Sequence, residues 1–306
     1  MQLANIALLE FMFLDIFAGL FLNGLIIYIS SRTWRNGGYL SPGDAILVAL
    51  GLCNIIMQTL LTCGIIIYYF WIHTFLSYSF FSVFFAIYNP MCLSSSWMTS
   101  WLCIFYCIKI TNFQCSVFVL VKSRFSGMLP WLILASVALS VIFISSGYLT
   151  ALNPAGNATQ HDSSQRVPFT LSSVFLVVLV FWCCLPCVLI LTSLGTTLTS
   201  LVIHVFRMKA STDFSSSKIE AHINGIRTMT LLLVLYIIFY LTQIILSLSI
   251  FPFSSPWFWI LLVLHFSFCT LQGVILVLGN PKLYNAFQIL YGRTKVTTDQ
   301  RNNDNT

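Results

Sequence analysis

Long stretches of this chain carry no charge, and polar and basic residues gather between them. Apolar runs rich in Leu, Ile, Phe and Val occupy about 6–30, 44–70, 80–108, 129–150, 169–206, 225–250 and 256–279. A membrane-crossing helix needs about 20 apolar residues, whereas barrel strands are short and alternate in polarity. The pattern therefore predicts an all-α membrane protein, a seven-transmembrane helix bundle forming a single domain. The fifth run is ambiguous, since residues 169–206 would make about 57 Å of helix against a hydrocarbon core of about 30 Å. Pro186 and Gly195 are candidate breaks, so the number of spans needs an independent test.

The basic residues supply it, because short cytoplasmic loops collect Lys and Arg. With seven spans and the N-terminus outside, Arg32, Arg35, Lys109, Lys122, Arg124, Arg207, Lys209, Lys218, Arg227, Lys282, Arg293, Lys295 and Arg301 fall inside and only Arg166 falls outside. Splitting the fifth run would destroy that bias, so it is read as one long helix. The C-terminus is therefore expected to be cytoplasmic.

Composition agrees: 58% of the 306 residues are hydrophobic, 7% are charged, and mean hydropathy is +0.91. A globular domain carries about 25% charged residues, so a soluble fold is excluded. The net charge of +6 is explained by topology. No basic cluster with interleaved aromatics points to nucleic acid. The start carries Glu10 and Asp15 and no Lys or Arg before Arg32, unlike a cleaved signal peptide, so the first run reads as a retained helix. No fixed-period repeat suggests duplicated transporter halves. After the last run, Leu283, Ala286, Phe287, Leu290 and Tyr291 recur at helical spacing between Lys282 and Arg293, predicting an interfacial amphipathic helix over 283–292. The polar residues 296–306 read as a disordered tail.

The ten Cys lie almost entirely within apolar runs and act as small core residues; no spacing indicates zinc, and no cofactor is expected. Asn157-Ala158-Thr159 is a glycosylation sequon in the longest predicted outer loop, consistent with the charge-derived orientation. Enzyme chemistry needs paired acids, a nucleophile with its base, or a metal cluster. Here Glu10 and Asp15 are five residues apart and His265 has no partner in its own helix. Acids are nearly absent from spans two to seven, which argues against ion conduction. Lys109, at the inner end of span three, reads equally as a snorkelling anchor or, with Tyr106 one turn earlier, as a contact for a cytosolic partner. Seven helices, an outside N-terminus and a final interfacial helix are similar to the architecture of G-protein-coupled receptors.

Four ordered motifs resemble the type 2, or bitter, taste receptors. They are Asn23-Gly24 with Leu40-Ser41-Pro42-Gly43-Asp44; Trp97 with Phe105-Tyr106-Cys107-Ile108-Lys109-Ile110-Thr111-Asn112-Phe113; Ser200-Leu201-Val202-Ile203-His204 with Met208, then Ala221-His222-Ile223-Asn224-Gly225-Ile226-Arg227-Thr228; and Gly279-Asn280-Pro281-Lys282-Leu283. Lys122 and Arg124 follow span three as in the family, and Asn157 falls where the family carries its sugar.

Departures accompany the match. Asn54 stands where the family usually has Arg, and Cys269-Thr270-Leu271-Gln272-Gly273 where it has a Pro-Ser-x-His-Ser run. Tyr88 and Cys92 replace the common Trp and Asn of span three, and Gly225 replaces Ala in span six.

The resemblance implies a receptor, not an enzyme, that binds small, mostly apolar bitter compounds near its outer side. The lining would be Tyr88, Cys92, Phe239, Thr242, Gln243, Leu262, His265 and Phe266, each of which also reads as ordinary helix packing. It further implies that Tyr106, Lys109, Lys122, Arg124, His204 and Arg227 meet a heterotrimeric G protein, gustducin or another inhibitory type. The alternatives are a vomeronasal-type chemoreceptor and, from another class, a seven-helix carrier of neutral solutes.

Overall fold

A computed structural model describes residues 2–75, 77–111, 116–152, 173–209, 216–247, 250–251 and 255–290. These residues are helical almost throughout, with no strand among them. The helices are α1 (Gln2–Arg35), α2 (Pro42–Phe70), α3 (Ile72–Phe75), α4 (Tyr78–Ile110), α5 (Ser116–Leu152), α6 (Ser173–Lys209), α7 (Ser216–Ser247), α8 (Pro256–Phe266), α9 (Phe268–Gly279) and α10 (Pro281–Leu290). Among the described residues, six stretches are long and apolar enough to cross a bilayer, lying in α1, α2, α4, α5, α7 and the α8–α9 pair. In α6 the described apolar stretch is Cys184–Ser200.

Helix ends follow local chemistry. Ser41 caps α2, its Oγ accepting from the Asp44 backbone N–H at 3.2 Å, and Pro42 takes the first turn, where no N–H is needed. Leu-Ser-Pro-Gly-Asp is thus a helix-start signal. Asp44 then accepts from Lys282 Nζ at 2.9 Å, while Asn280 Oδ1 accepts from the Lys282 backbone N–H at 3.0 Å. Two motifs that are far apart in sequence therefore meet at one end of the bundle.

The structure differs from the hydropathy pattern in three places. The helix expected over 129–150 begins at Ser116, so Lys122 and Arg124 extend a helix instead of occupying a loop. The run 256–279 is interrupted by a turn at Ser267, where α8 ends and α9 starts. The short helix α3 was not expected. The sequon at Asn157, the tail, and the last two residues of the 283–292 segment lie outside the described residues.

Packing places α4 centrally, against α2, α5, α6 and α7, with α1 and α9 closing the other side of α2. The best-buried large side chains, including Met57, Tyr88, Met98, Leu102, Tyr236 and Phe268, line that centre. Outward positions are apolar as well, among them Leu14, Phe17 and Trp131, each at least two-thirds exposed. In water such a surface would drive association; in a bilayer it meets lipid tails. Polar side chains turn inward and bond one another. Asn54 Nδ2 donates to Asn23 Oδ1 at 2.9 Å and to Gln272 Oε1 at 2.8 Å, and Ser95 Oγ donates to Asn54 Oδ1 at 3.0 Å. Gln272 Nε2 donates to Thr99 at 2.8 Å, and Asn23 Nδ2 reaches the Cys269 carbonyl at 3.3 Å.

Candidate functional site

Three helices bring the predicted lining residues together around one imidazole. Tyr88 comes from α4, Phe239 and Thr242 from α7, and His265 from the last turn of α8, just above the Ser267 turn. Tyr88 Oη lies 2.6 Å from His265 Nε2, and Thr242 Oγ1 lies 3.4 Å from Nδ1. The Thr242 hydroxyl donates to the Phe239 carbonyl at 2.7 Å, so its oxygen can only accept from the ring. Nδ1 therefore carries the proton, and Nε2 accepts from the Tyr88 hydroxyl.

Aromatic faces enclose this pair. The Phe239 ring stacks on the imidazole at 4.7 Å with planes 11° apart, and Phe268 lies 4.1 Å from Phe239. Phe84 lies parallel to Tyr88 at 6.0 Å. Cys92 and Phe266 are buried in the same core, and Leu262 packs against it half-buried. Gln243 stands one residue beyond Thr242, its Nε2 donating to Asn89 Oδ1 at 3.3 Å. The arrangement offers flat apolar faces with a few fixed polar atoms, the combination that characterises small-molecule sites.

Sequence reading omitted Asn89 and Phe268. Asn89 is an amide inside an apolar run, next to Tyr88, and that polarity was the available signal. Phe268 had none, because its role depends on the Ser267 turn. The departures Asn54 and Gln272 proved to be one feature, since each is the other's hydrogen-bond partner. Together they form a neutral amide pair that bridges α2 and α9.

At the opposite end, Tyr106 is half-buried beside Phe105, with ring centroids 6.1 Å apart, while Lys109, Arg124 and Arg227 are exposed. Lys122 lies on α5 and His204 on α6; their side chains are outside what the structure describes. At this end α4 and α7 touch closely: a Cβ at Gly225 would sit 2.6 Å from Ile110 Cδ1. That atom is the tip of a flexible side chain, so a larger residue at Gly225 would have to turn it aside. No group of three or more metal-ligating side chains occurs among the described residues.

Comparison with known proteins points to one family. The family model described as "Taste receptor protein (TAS2R)" matches residues 1–294. The chain is 27% identical to taste receptor type 2 member 41 of Mus musculus over 293 residues, covering 90% of this chain and 91% of that protein. It is 32% identical to taste receptor type 2 member 4 of Homo sapiens over 225 residues, covering 72% and 75%. With taste receptor type 2 member 143 of Rattus norvegicus it shares 27% over 289 residues, covering 91% and 96%.

Proposed function

The chain belongs to the type 2 taste receptor family, and on that premise we propose that it senses small, mostly apolar bitter compounds and relays their binding to a heterotrimeric G protein, gustducin or another inhibitory type. In this reading it is a seven-span plasma-membrane receptor. The seventh span is α6, the N-terminus is extracellular and the C-terminus cytoplasmic. The distribution of cations supports that orientation, thirteen of fourteen falling on the inner side.

The observation that carries the ligand site is the convergence on His265 of side chains from α4 and α7. An agonist entering between Tyr88, Cys92, Phe239, Thr242, Gln243, Leu262, His265 and Phe266 must repack these rings. A neutral imidazole held by one donor and one acceptor offers either hydrogen-bond role to a ligand that displaces Tyr88 or Thr242. Ligand shifts the equilibrium only by its difference in affinity between states. The favoured state is one in which the inner ends of α6 and α7 swing outward, separating Gly225 from Ile110. Tyr106, Lys109, Lys122, Arg124, His204 and Arg227 then form the G-protein contact.

Replacing Lys109 by Ala tests the coupling site. Signalling in cells should be lost while surface expression persists. Unchanged signalling at equal surface density would overturn the assignment.

A further inference from the structure

Asp15 lies on α1 about 7.5 Å along the helix from Glu10, inside an apolar span, and is half-buried. Among the described residues the ion pair present is Lys282 with Asp44, at the other end of the bundle. An acid within a span, with no cation beside it, is costly unless something compensates its charge.

Its surroundings are rich in oxygen. The Ser267 and Thr270 hydroxyls lie beside the carboxyl. Thr270 Oγ1 donates to the Asp15 backbone carbonyl at 2.9 Å. With that proton engaged, the Thr270 oxygen can only accept, and Gln58 Nε2 donates to it at 3.2 Å. The orientation of the Gln58 amide is thereby determined, and its other atom, Oε1, is left without a donor. Gln58 is 1% exposed, and both its Oε1 and Asp15 Oδ2 are buried oxygens with no hydrogen-bond partner among the described residues. A Cβ at Gly19 would strike Gln58 Nε2 and Thr270 Oγ1, so α1 carries glycine at the point where that amide reaches in.

Buried polar groups are satisfied in native proteins, and here both orphans are acceptors. A proton donor or a cation can complete two acceptors, and only the cation also balances the carboxylate's charge. The donor set comprises a carboxylate, an amide oxygen and hydroxyls, which are hard ligands. A single carboxylate suits one positive charge, whereas calcium sites gather several. We propose that Asp15, Gln58, Ser267 and Thr270 form a binding site for a monovalent cation, sodium, which ties α1, α2 and α9 together.

The test is thermal unfolding of the purified full-length receptor in detergent, with sodium chloride titrated against choline chloride at constant ionic strength and neutral pH. At tenfold excess over its dissociation constant, sodium should raise the midpoint by roughly 2–3 °C for a chain of this size. Asp15→Asn should abolish the shift, and Gln58→Leu should weaken the apparent affinity at least tenfold. Gln58→Leu keeps the comparison available if the aspartate variant expresses poorly. Glu10→Gln, an exposed acid on the same helix, should leave the shift intact. Indifference of the unaltered receptor to sodium would overturn the site, as would loss of the response in Glu10→Gln. Stabilisation that follows pH at every sodium concentration would assign the site to a proton and overturn the metal-ion proposal.

Discussion

Replacing Asn54 by Leu keeps its branched shape and heavy-atom count while deleting the amide that joins α2 to α1, α4 and α9. The lost bonds are those to Asn23 Oδ1 at 2.9 Å and to Gln272 Oε1 at 2.8 Å, and that from Ser95 at 3.0 Å. Interhelical hydrogen bonds in membrane proteins average about 0.6 kcal/mol, so three set a floor near 2 kcal/mol. The greater effect is on what remains. Asn23 Oδ1 is left buried without this donor, and Gln272 Oε1 keeps only the long Ser95 contact at 3.5 Å. An unsatisfied buried acceptor costs about 1–3 kcal/mol, which raises the expected loss to about 3–6 kcal/mol. The second arm is Gln272→Leu, and the third is the double variant. Removing both partners should cost about 1–3 kcal/mol less than the sum of the single losses, because fewer acceptors remain unpaired. Reversible unfolding in detergent, with surface expression as a cellular check, measures the cycle. Additivity within about 0.5 kcal/mol would refute the pairing, as would a single Asn54→Leu loss below about 1 kcal/mol.

Gly225→Ala should turn the Ile110 tip aside, and a rotamer cost of about 0.5–1 kcal/mol would favour the separated inner ends. Basal signalling at equal surface density should then rise roughly 2–5-fold, whereas an unchanged basal level with intact agonist response would contradict the closed contact. Tyr88→Phe removes the hydroxyl on His265 Nε2 and should shift agonist half-maximal concentration roughly 2–10-fold in either direction, read from dose–response curves. Asn157→Gln should increase gel mobility of the mature receptor to that of the enzymatically deglycosylated protein, and identical mobility before and after would remove the sugar.

The bundle was legible in the sequence because bilayer burial acts on whole runs. A stretch of about 20 apolar residues has few alternatives to a helix in lipid, so most of the spans stood out from hydropathy alone. Breaks within a run were not legible. Ser267 is one small polar residue among apolar neighbours, yet it ends α8, starts α9 and turns Phe268 toward Phe239. The start of α5 at Ser116 was missed for the opposite reason, since its first turns carry Lys122 and Arg124 and look like a loop. In the candidate site, Tyr88, Thr242, Phe239 and His265 followed from motif resemblance, and the structure shows them in mutual contact. Long-range pairing was beyond reach: Asn54 and Gln272 are 218 residues apart, and only helix register brings their amides together. The same holds for Gln58 with Thr270, whose bond joins α2 to α9.

The most direct measurement is a calcium response in cells co-expressing this receptor with a promiscuous chimeric α subunit carrying gustducin's receptor-contacting tail, challenged with a panel of small apolar bitter compounds. The account predicts concentration-dependent responses to at least one compound, absent in cells without the receptor and in cells carrying Lys109→Ala. Silence across the panel despite confirmed surface expression, together with uptake of a labelled neutral solute by the same cells, would contradict it.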